Sequence, residues 1–168
     1  MFQAFIASAT VGGGGAATMD FTSIPGTYTD LVLVISPRAT STTASITVSF
    51  NGSAASFTGR RLEGNASAAS STTSTTLIGT SSISTDTANT FGSLQLFIPN
   101  YAGSANKTFS VDTVSENNGT TAYAQIFGGM WSNTAVITQV TVSLANFAAN
   151  STAYLYGTLK GSGGATVS

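Results

Sequence analysis

Residues 45–50 read Ser45-Ile46-Thr47-Val48-Ser49-Phe50, a strict alternation of hydroxyl and apolar side chains. The same alternation returns in Gln139-Val140-Thr141-Val142-Ser143-Leu144. Successive side chains of a β-strand point to opposite faces of its sheet, so each stretch predicts a strand with one apolar and one hydroxyl face. Threonine suits the exposed face because its branched β-carbon fits the pleat while its hydroxyl meets water.

A third stretch, Leu31-Val32-Leu33-Val34-Ile35, is apolar at every position and predicts a central strand covered on both faces. No segment shows sustained helical periodicity. Further strand signals, separated by turn dipeptides such as Pro25-Gly26 and Asn51-Gly52, bring the expected total to about eight to ten strands. We therefore predict an all-β fold, an antiparallel β-sandwich of jelly-roll type.

The chain length of 168 residues fits one domain, which we expect to be a single β-sandwich over residues 1–160. Within it we predict a long Ser/Thr-rich loop at about 64–90, because such residues bury too little apolar area to offset the entropy of ordering. This loop is interpreted either as a mobile surface segment or as an arm ordered against a neighbouring subunit. Residues 161–168 are expected to form a flexible C-terminal tail.

The composition excludes many kinds of chemistry. Only 7% of the residues are charged, 24 are Ser and 28 are Thr, and there is no His and no Cys. Zinc sites built on Cys or His, iron–sulfur centres, Cys nucleophiles, disulfides and His-based acid–base catalysis are therefore ruled out. The net charge of −1 does not favour nucleic-acid binding, and no apolar run approaches the ~20 residues of a membrane helix. We expect no cofactor, no nucleic-acid partner and no membrane partner.

The remaining catalytic candidates are weak. Asp112 and Glu116 would share a strand face, but their backbones would lie about 13 Å apart, so we interpret them as solvated charges. A Ser–Lys pair would need a buried Lys107 or Lys160, and we interpret both lysines as solvated because a turn or a Gly-rich tail adjoins them. The sequence thus predicts no catalytic and no metal site.

Five residues are candidates for contact with a ligand or partner: Arg60, Arg61, Tyr101, Tyr154 and Tyr156. The two arginines form a local cation cluster, which could dock on an acidic surface or simply end a strand in solvent. The tyrosines offer aromatic faces that suit sugars and partner loops alike, and Tyr154 and Tyr156 would share one strand face. By contrast, Trp131 and the phenylalanines are expected in the core.

One further cation, Arg38, follows the apolar strand and could pair with Asp30 or with another carboxylate. At the N-terminus, Ala7-Ser8-Ala9 has the form of a signal-peptidase site, but no Lys or Arg precedes it and the apolar stretch before it is short. We therefore predict no signal peptide.

A series of short motifs in fixed order spans the chain from about Phe5 to Lys160 and resembles a domain of tailed-bacteriophage virion proteins. The motifs are Asp20-Phe21-Thr22-Ser23-Ile24-Pro25, Thr27-Tyr28-Thr29-Asp30-Leu31, Ser36-Pro37-Arg38, Phe50-Asn51-Gly52, Ile98-Pro99-Asn100-Tyr101, Phe127-Gly128-Gly129-Met130-Trp131 and Ala153-Tyr154-Leu155-Tyr156-Gly157. No catalytic residues are associated with the resemblance.

The resemblance implies a structural or adhesive module of a phage particle, made in the host cytoplasm. Because Met1 directly precedes the domain and no coiled coil or shaft repeat is present, we expect a capsid decoration (cement) protein on the outer capsid surface. Its partners would be the major capsid protein or another virion protein, and sister protomers in a homotrimer or another symmetric homo-oligomer. The alternative is a receptor- or carbohydrate-binding module of a tail or head fibre, with a host-surface glycan as ligand.

Overall fold

The computed structural model describes residues 3–42, 44–65, 67–116 and 122–158. This part of the chain contains twelve β-strands and no helix, so the all-β prediction is confirmed while the predicted strand number is too low. The strands are β1 (Gln3–Thr10), β2 (Ala16–Phe21), β3 (Asp30–Ser36), β4 (Ser45–Phe50), β5 (Phe57–Gly64), β6 (Ala69–Ser74), β7 (Leu77–Thr80), β8 (Ser93–Ile98), β9 (Lys107–Ser115), β10 (Tyr123–Trp131), β11 (Val140–Phe147) and β12 (Thr152–Thr158). The predicted tail at 161–168 lies outside the described residues.

The strands form two antiparallel sheets. The large sheet has eight strands in the order β1-β12-β3-β8-β9-β10-β5-β6, and the small sheet has four in the order β2-β11-β4-β7. Both sheets contribute side chains to one buried apolar cluster. Since every strand alternates its side chains between two faces, the large sheet also has an outer face that points away from this core.

An aromatic cluster joins the far half of the large sheet to the small sheet. The ring of Phe50 on β4 lies 5.3 Å from that of Phe57 on β5, 5.5 Å from that of Phe109 on β9 and 5.6 Å from that of Trp131 on β10. All four side chains are buried, as predicted, but the prediction that the phenylalanines lie in the core is wrong for Phe5, which is 59% exposed. Such edge-on and tilted contacts add to the burial of large apolar surfaces, so they fix β5, β9 and β10 in place.

The apolar stretch 31–35 forms most of β3, which lies between β12 and β8 as a central strand. Its expected coverage on both faces is only partly correct. Val32 is buried, but Val34 points to the outer face and is 37% exposed. The small sheet covers one face of β3 and nothing in the described chain covers the other at this position.

The predicted long loop at about 64–90 is wrong in its first half, which contains β6 and β7. A tight turn sets the β5–β6 hairpin, because the side-chain oxygen of Asn65 accepts hydrogen bonds from the N–H groups of Ser67 and Ala68. β6 then pairs with all six facing residues of β5. Backbone pairing, which composition does not report, orders this polar segment.

The longest stretch without a strand in this region is 81–92, between β7 and β8, and the side chain of Arg38 binds four of its residues. Its guanidinium donates hydrogen bonds to the backbone oxygens of Thr90 at 2.7 Å, Thr87 at 3.0 Å, Asp86 at 3.1 Å and Ser84 at 3.5 Å. The proposed pairing of Arg38 with Asp30 or another carboxylate is therefore wrong: its partners are main-chain oxygens. A guanidinium carries five N–H donors in one plane, so a single arginine can bind several carbonyl oxygens at once.

Candidate docking surface on the large sheet

The outer face of β5, β6, β9 and β10 forms an open apolar groove, which we call the outer groove. Its volume is about 640 Å³ and its floor includes Leu62, Val114, Ala124 and Ile126. Leu62 is 53% exposed, Val114 48% and Ile126 57%. Single exposed apolar side chains are ordinary, but a contiguous set marks a surface that binds another molecule.

Strand register brings these side chains together. Ile126 on β10 lies opposite Leu62 on β5, and Ala124 lies opposite both Gly64 on β5 and Val114 on β9. Facing residues in antiparallel strands have Cβ atoms about 5 Å apart, so the apolar side chains form one patch. Gly64 adds no side chain beside Ala124, which leaves the groove concave. Two acidic residues, Glu63 and Asp112, also line the groove, and Asp112 lies opposite Ile126 on the outer face.

Beneath the outer groove, the opposite face of the same strands carries a polar layer. The side-chain amide nitrogen of Gln125 donates to the carboxylate of Glu63 at 2.6 Å and to the hydroxyl of Thr80 at 2.8 Å. The guanidinium of Arg61 lies 3.4 Å from the same carboxylate of Glu63. These contacts tie β5 and β10 to β7 of the small sheet, so the groove is built on a fixed support.

The two predicted contact arginines lie on opposite faces of β5. Arg60 is exposed on the outer face, where its guanidinium donates to the hydroxyl of Ser71 at 3.3 Å. Arg61 belongs to the polar layer with Glu63 and is mostly buried. The sequence prediction of a joint cation cluster is therefore wrong for Arg61, because neighbouring residues of a strand point in opposite directions.

The predicted tyrosines also separate. Tyr154 and Tyr156 of β12 both lie on the outer face, Tyr154 being 40% exposed. The ring of Tyr156 contacts that of Phe5 on β1 edge-on, at 6.1 Å between centroids. We call Phe5, Tyr154 and Tyr156 the aromatic patch. Five strand spacings separate β12 from β5, so the aromatic patch lies about 24 Å from Arg60, and three spacings, about 14 Å, separate β12 from β9 at the near side of the outer groove.

Tyr101 is not a surface contact, and this prediction is wrong. Its side chain is completely buried, and its hydroxyl donates to the backbone oxygen of Pro25 and accepts from the backbone N–H of Tyr28 at 3.4 Å. Burial raises the pKa of the Tyr101 phenol. Its place after the Pro99-Asn100 turn suggested exposure, but a buried tyrosine with its hydroxyl bonded to the main chain satisfies the same sequence.

The expectation that Lys107 is solvated is also wrong. Its side chain is buried, and its ammonium group donates to the backbone oxygens of Gly103 at 2.7 Å and Ala105 at 2.5 Å. Burial lowers the pKa of Lys107. These contacts close the 99–106 turn and show a structural role for the charge. Lys160 lies outside the described residues.

Within the described ranges, no group of three or more acidic residues is placed so that it could hold a metal ion. Asp112 and Glu116 are both exposed, Asp112 on the outer face of β9. Asp20 on β2 accepts hydrogen bonds from the hydroxyls of Thr141 at 2.5 Å and Thr18 at 2.6 Å, which lower the pKa of its carboxyl. It thus serves as an anchor between β2 and β11.

Sequence reasoning missed the outer groove. A usable signal exists in the strand 123–127, where Ile126 lies on the alternate face from Gln125 and Phe127. Val114 likewise departs from the polar set formed by Ser110 and Asp112 on the outer face of β9. One such apolar residue is ordinary, but apolar residues on the outward faces of neighbouring strands together form a contiguous patch of the kind that binds other molecules.

No helix in the described part of the chain is long and apolar enough to cross a membrane. The chain matches no protein-family model, no curated protein and no solved structure.

Proposed function

We propose that this chain is a non-enzymatic structural protein of a tailed-bacteriophage virion, a decoration protein that binds and stabilises the outer capsid surface. The observation that carries the proposal is the outer groove, an exposed apolar surface on a rigid sheet. Only 7% of the chain is charged, so docking strips bound water from few charged groups. Desolvation of Asp112, which lies opposite Ile126, is the cost that burial of Leu62 and Ile126 must offset.

We further infer a β-sandwich of jelly-roll type, and the nested strand pairing supports it. β1 and β2 pair with β12 and β11, while β3 and β4 pair with β8 and β7, each pair divided between the two sheets. A long hairpin wound around a barrel axis gives this nesting. On that scheme β5-β6 and β9-β10 are hairpin insertions that widen the large sheet and carry the outer groove.

The proposed mechanism is mass action. A protein that binds the mature shell and not its dissociated subunits stabilises the shell by RT ln(1 + [L]/Kd), about 2.7 kcal/mol per site at a hundredfold excess over Kd. The rigid support beneath the groove favours such binding because little order is lost on docking. Many copies of the chain bound over a symmetric shell would add their contributions to the stability of the shell.

The test uses purified particles of the phage that encodes the chain. Electron microscopy with an antibody against the chain should label the capsid surface, and particles stripped of the chain should lose heat resistance. Added wild-type chain should restore it, whereas L62S/I126S should not. V136S is the matched control, because Val136 is also exposed but lies outside the outer face. Label on the tail alone, or stripped particles with undiminished heat resistance, would refute the proposal.

The aromatic patch favours a second candidate, a module that binds a host-surface glycan. Three aromatic side chains lie together on the outer face of two neighbouring strands, with Phe5 and Tyr154 well exposed, and sugar rings can stack on such a surface. A glycan array with wild-type chain and Y154A separates the two functions. Binding that Y154A abolishes and L62S/I126S retains would support the glycan module and contradict a purely structural role.

A further inference from the structure

Three of the four free sheet edges carry a feature that discourages pairing with another chain. β1 has a register shift between Phe5 and Ala7, β2 carries the exposed charge of Asp20, and β7 is only four residues long. Bulges, charged side chains and short length are devices that keep sheet edges from adding strands. The fourth edge is β6.

We propose that β6 pairs antiparallel with β6 of a second copy of this chain, so that two large sheets become one continuous sheet. β6 has none of the three features: it is Ala69-Ser70-Ser71-Thr72-Thr73-Ser74, uncharged, and paired with β5 over six residues without a register shift. Every second residue of an edge strand directs its N–H and C=O away from its neighbour. No strand of the described chain pairs with β6 on that side.

The chemistry of β6 fits a second copy of itself. Five of its six side chains are Ser or Thr, so self-pairing opposes no like charges and places hydroxyl-bearing residues of favourable pairing tendency across from each other. Two-fold symmetric contacts, in which both copies use the same patch, are the commonest in soluble oligomers. β6 also extends beyond the small sheet, since all its side chains but that of Ser74 are exposed.

Symmetry then joins the two outer grooves. Antiparallel pairing about an axis perpendicular to the sheet leaves both outer faces on the same side. Leu62 is one strand from β6, so the two copies of Leu62 would lie three strand spacings apart, about 14 Å. The guanidinium of Arg60 reaches β6 and lies 3.3 Å from the hydroxyl of Ser71, so the two Arg60 charges would lie closer together than the β5 backbones, and their repulsion weakens the dimer, most at low ionic strength.

The expected dimer is weak in solution. Pairing of two six-residue strands buries less than the ~1,200 Å² at the lower limit of standard stable interfaces, so we expect weak association, with a Kd on the order of 100 µM. On a shell, neighbouring copies would be held at millimolar effective concentration, where such a contact forms. Only this last step rests on the proposed function; the dimer itself does not.

Sedimentation equilibrium of the purified chain, from about 10 µM to about 1 mM, tests the pairing without any capsid. The wild-type mass should rise from 16.9 kDa toward twice that value. S71K should remain monomeric and S71E should dimerise more weakly than the wild type, because like charges would face each other near the axis, whereas an equal mixture should dimerise. Since the hydroxyl of Ser71 already accepts from Arg60 at 3.3 Å, S71E gains a local partner and should lose less affinity than S71K.

Recovery in the mixture also proves that both variants fold. T10K places a charge on β1, the other edge of the same sheet, and should dimerise like wild type. The proposal is overturned by a wild-type chain that stays monomeric at about 1 mM, by S71K that dimerises normally, or by a mixture that does not recover. If the wild type is monomeric and S71K loses only its binding to shells, the edge pairs with a coat-protein strand and not with a second copy.

Discussion

Leu62 and Ile126 lie directly opposite each other on β5 and β10, and more than half of each side chain is exposed. Their neighbours along the chain, Glu63 and Phe127, point to the other face, where Phe127 is fully buried. Two consecutive apolar residues of one strand thus have different environments. The inner one, Phe127, contributes to the core, and the outer one, Ile126, lines the exposed outer groove.

Substitutions at 126 and 127 should therefore change the free energy of unfolding by very different amounts. We expect I126T to change the free energy of unfolding by no more than about 0.5 kcal/mol, as is usual for exposed positions. F127A should lower it by about 3–5 kcal/mol, because it leaves a cavity among buried rings. Urea denaturation followed by tryptophan fluorescence measures both. Equal losses for the two variants would mean that Ile126 is covered within the monomer.

The core of this protein was largely predictable from its sequence. Alternation identified β4 and β11, and the apolar run identified β3, because burial of one strand face leaves a period of two in the sequence. β6 was not predictable in this way. Its residues are nearly all Ser and Thr, and its order comes from hydrogen bonds to β5 and from the turn at Asn65, neither of which leaves an apolar pattern.

The candidate contact residues show a related limit. Arg60 and Arg61 are adjacent in sequence, and only the phase of β5 decides which of them reaches the outer face. Tyr101 follows a turn, yet the backbone oxygen of Pro25, far away in sequence, provides the partner that lets it be buried. Placement of polar side chains depends on partners from distant segments, and one sequence does not name those partners.

Two glycines of the large sheet should differ sharply in their tolerance of alanine. A Cβ on Gly129 would lie 2.5 Å from Cζ of Phe109 and closer still to the ring of Phe127, whereas a Cβ on Gly128 would meet nothing within 4 Å. Overpacking a core usually costs 1–3 kcal/mol, so we expect G129A to lower the free energy of unfolding by about that amount.

G128A is the control, and it should leave stability unchanged or raise it by up to about 1 kcal/mol, since glycine weakens a strand interior. Chemical denaturation of both variants compares adjacent positions with the same chemical change. An unaffected G129A would show that the Phe109 and Phe127 rings can move apart without loss of packing.

The buried charge of Lys107 should make stability depend on alkaline pH. Burial lowers the pKa of Lys107 below its ordinary value of 10.5, so between the two values the unfolded chain binds more protons than the folded one. Stability should then rise as the pH increases toward 10.5. Tyr101 acts in the opposite direction above pH 10, because burial raises the pKa of its phenol and the folded state keeps the proton.

Comparison with K107M isolates the lysine contribution, since Tyr101 is present in both proteins. The difference in unfolding free energy between wild type and K107M should change in favour of wild type as the pH rises from 7 toward 10.5. Urea titrations at intervals across this range measure the difference. A constant difference would mean that Lys107 has the same pKa in the folded and unfolded chains.

Arg38 should control the mobility of residues 84–90 more than the stability of the whole domain. The guanidinium of Arg38 donates hydrogen bonds to four backbone oxygens in this segment, at 2.7 to 3.5 Å. A lysine ammonium has a single nitrogen, so it cannot bind all four oxygens. We expect R38K to speed amide hydrogen exchange within 84–90 by at least about tenfold, while exchange in β3 and β8 is nearly unchanged, because local openings in proteins are independent of global unfolding.

R60K is the control, since Arg60 makes one hydrogen bond on the outer face and does not contact this segment. If R38K and R60K exchange alike at 84–90, the segment is held by its own turns, such as the hydrogen bond from Asp86 N–H to the oxygen of Ile83 at 3.2 Å, and the guanidinium is dispensable.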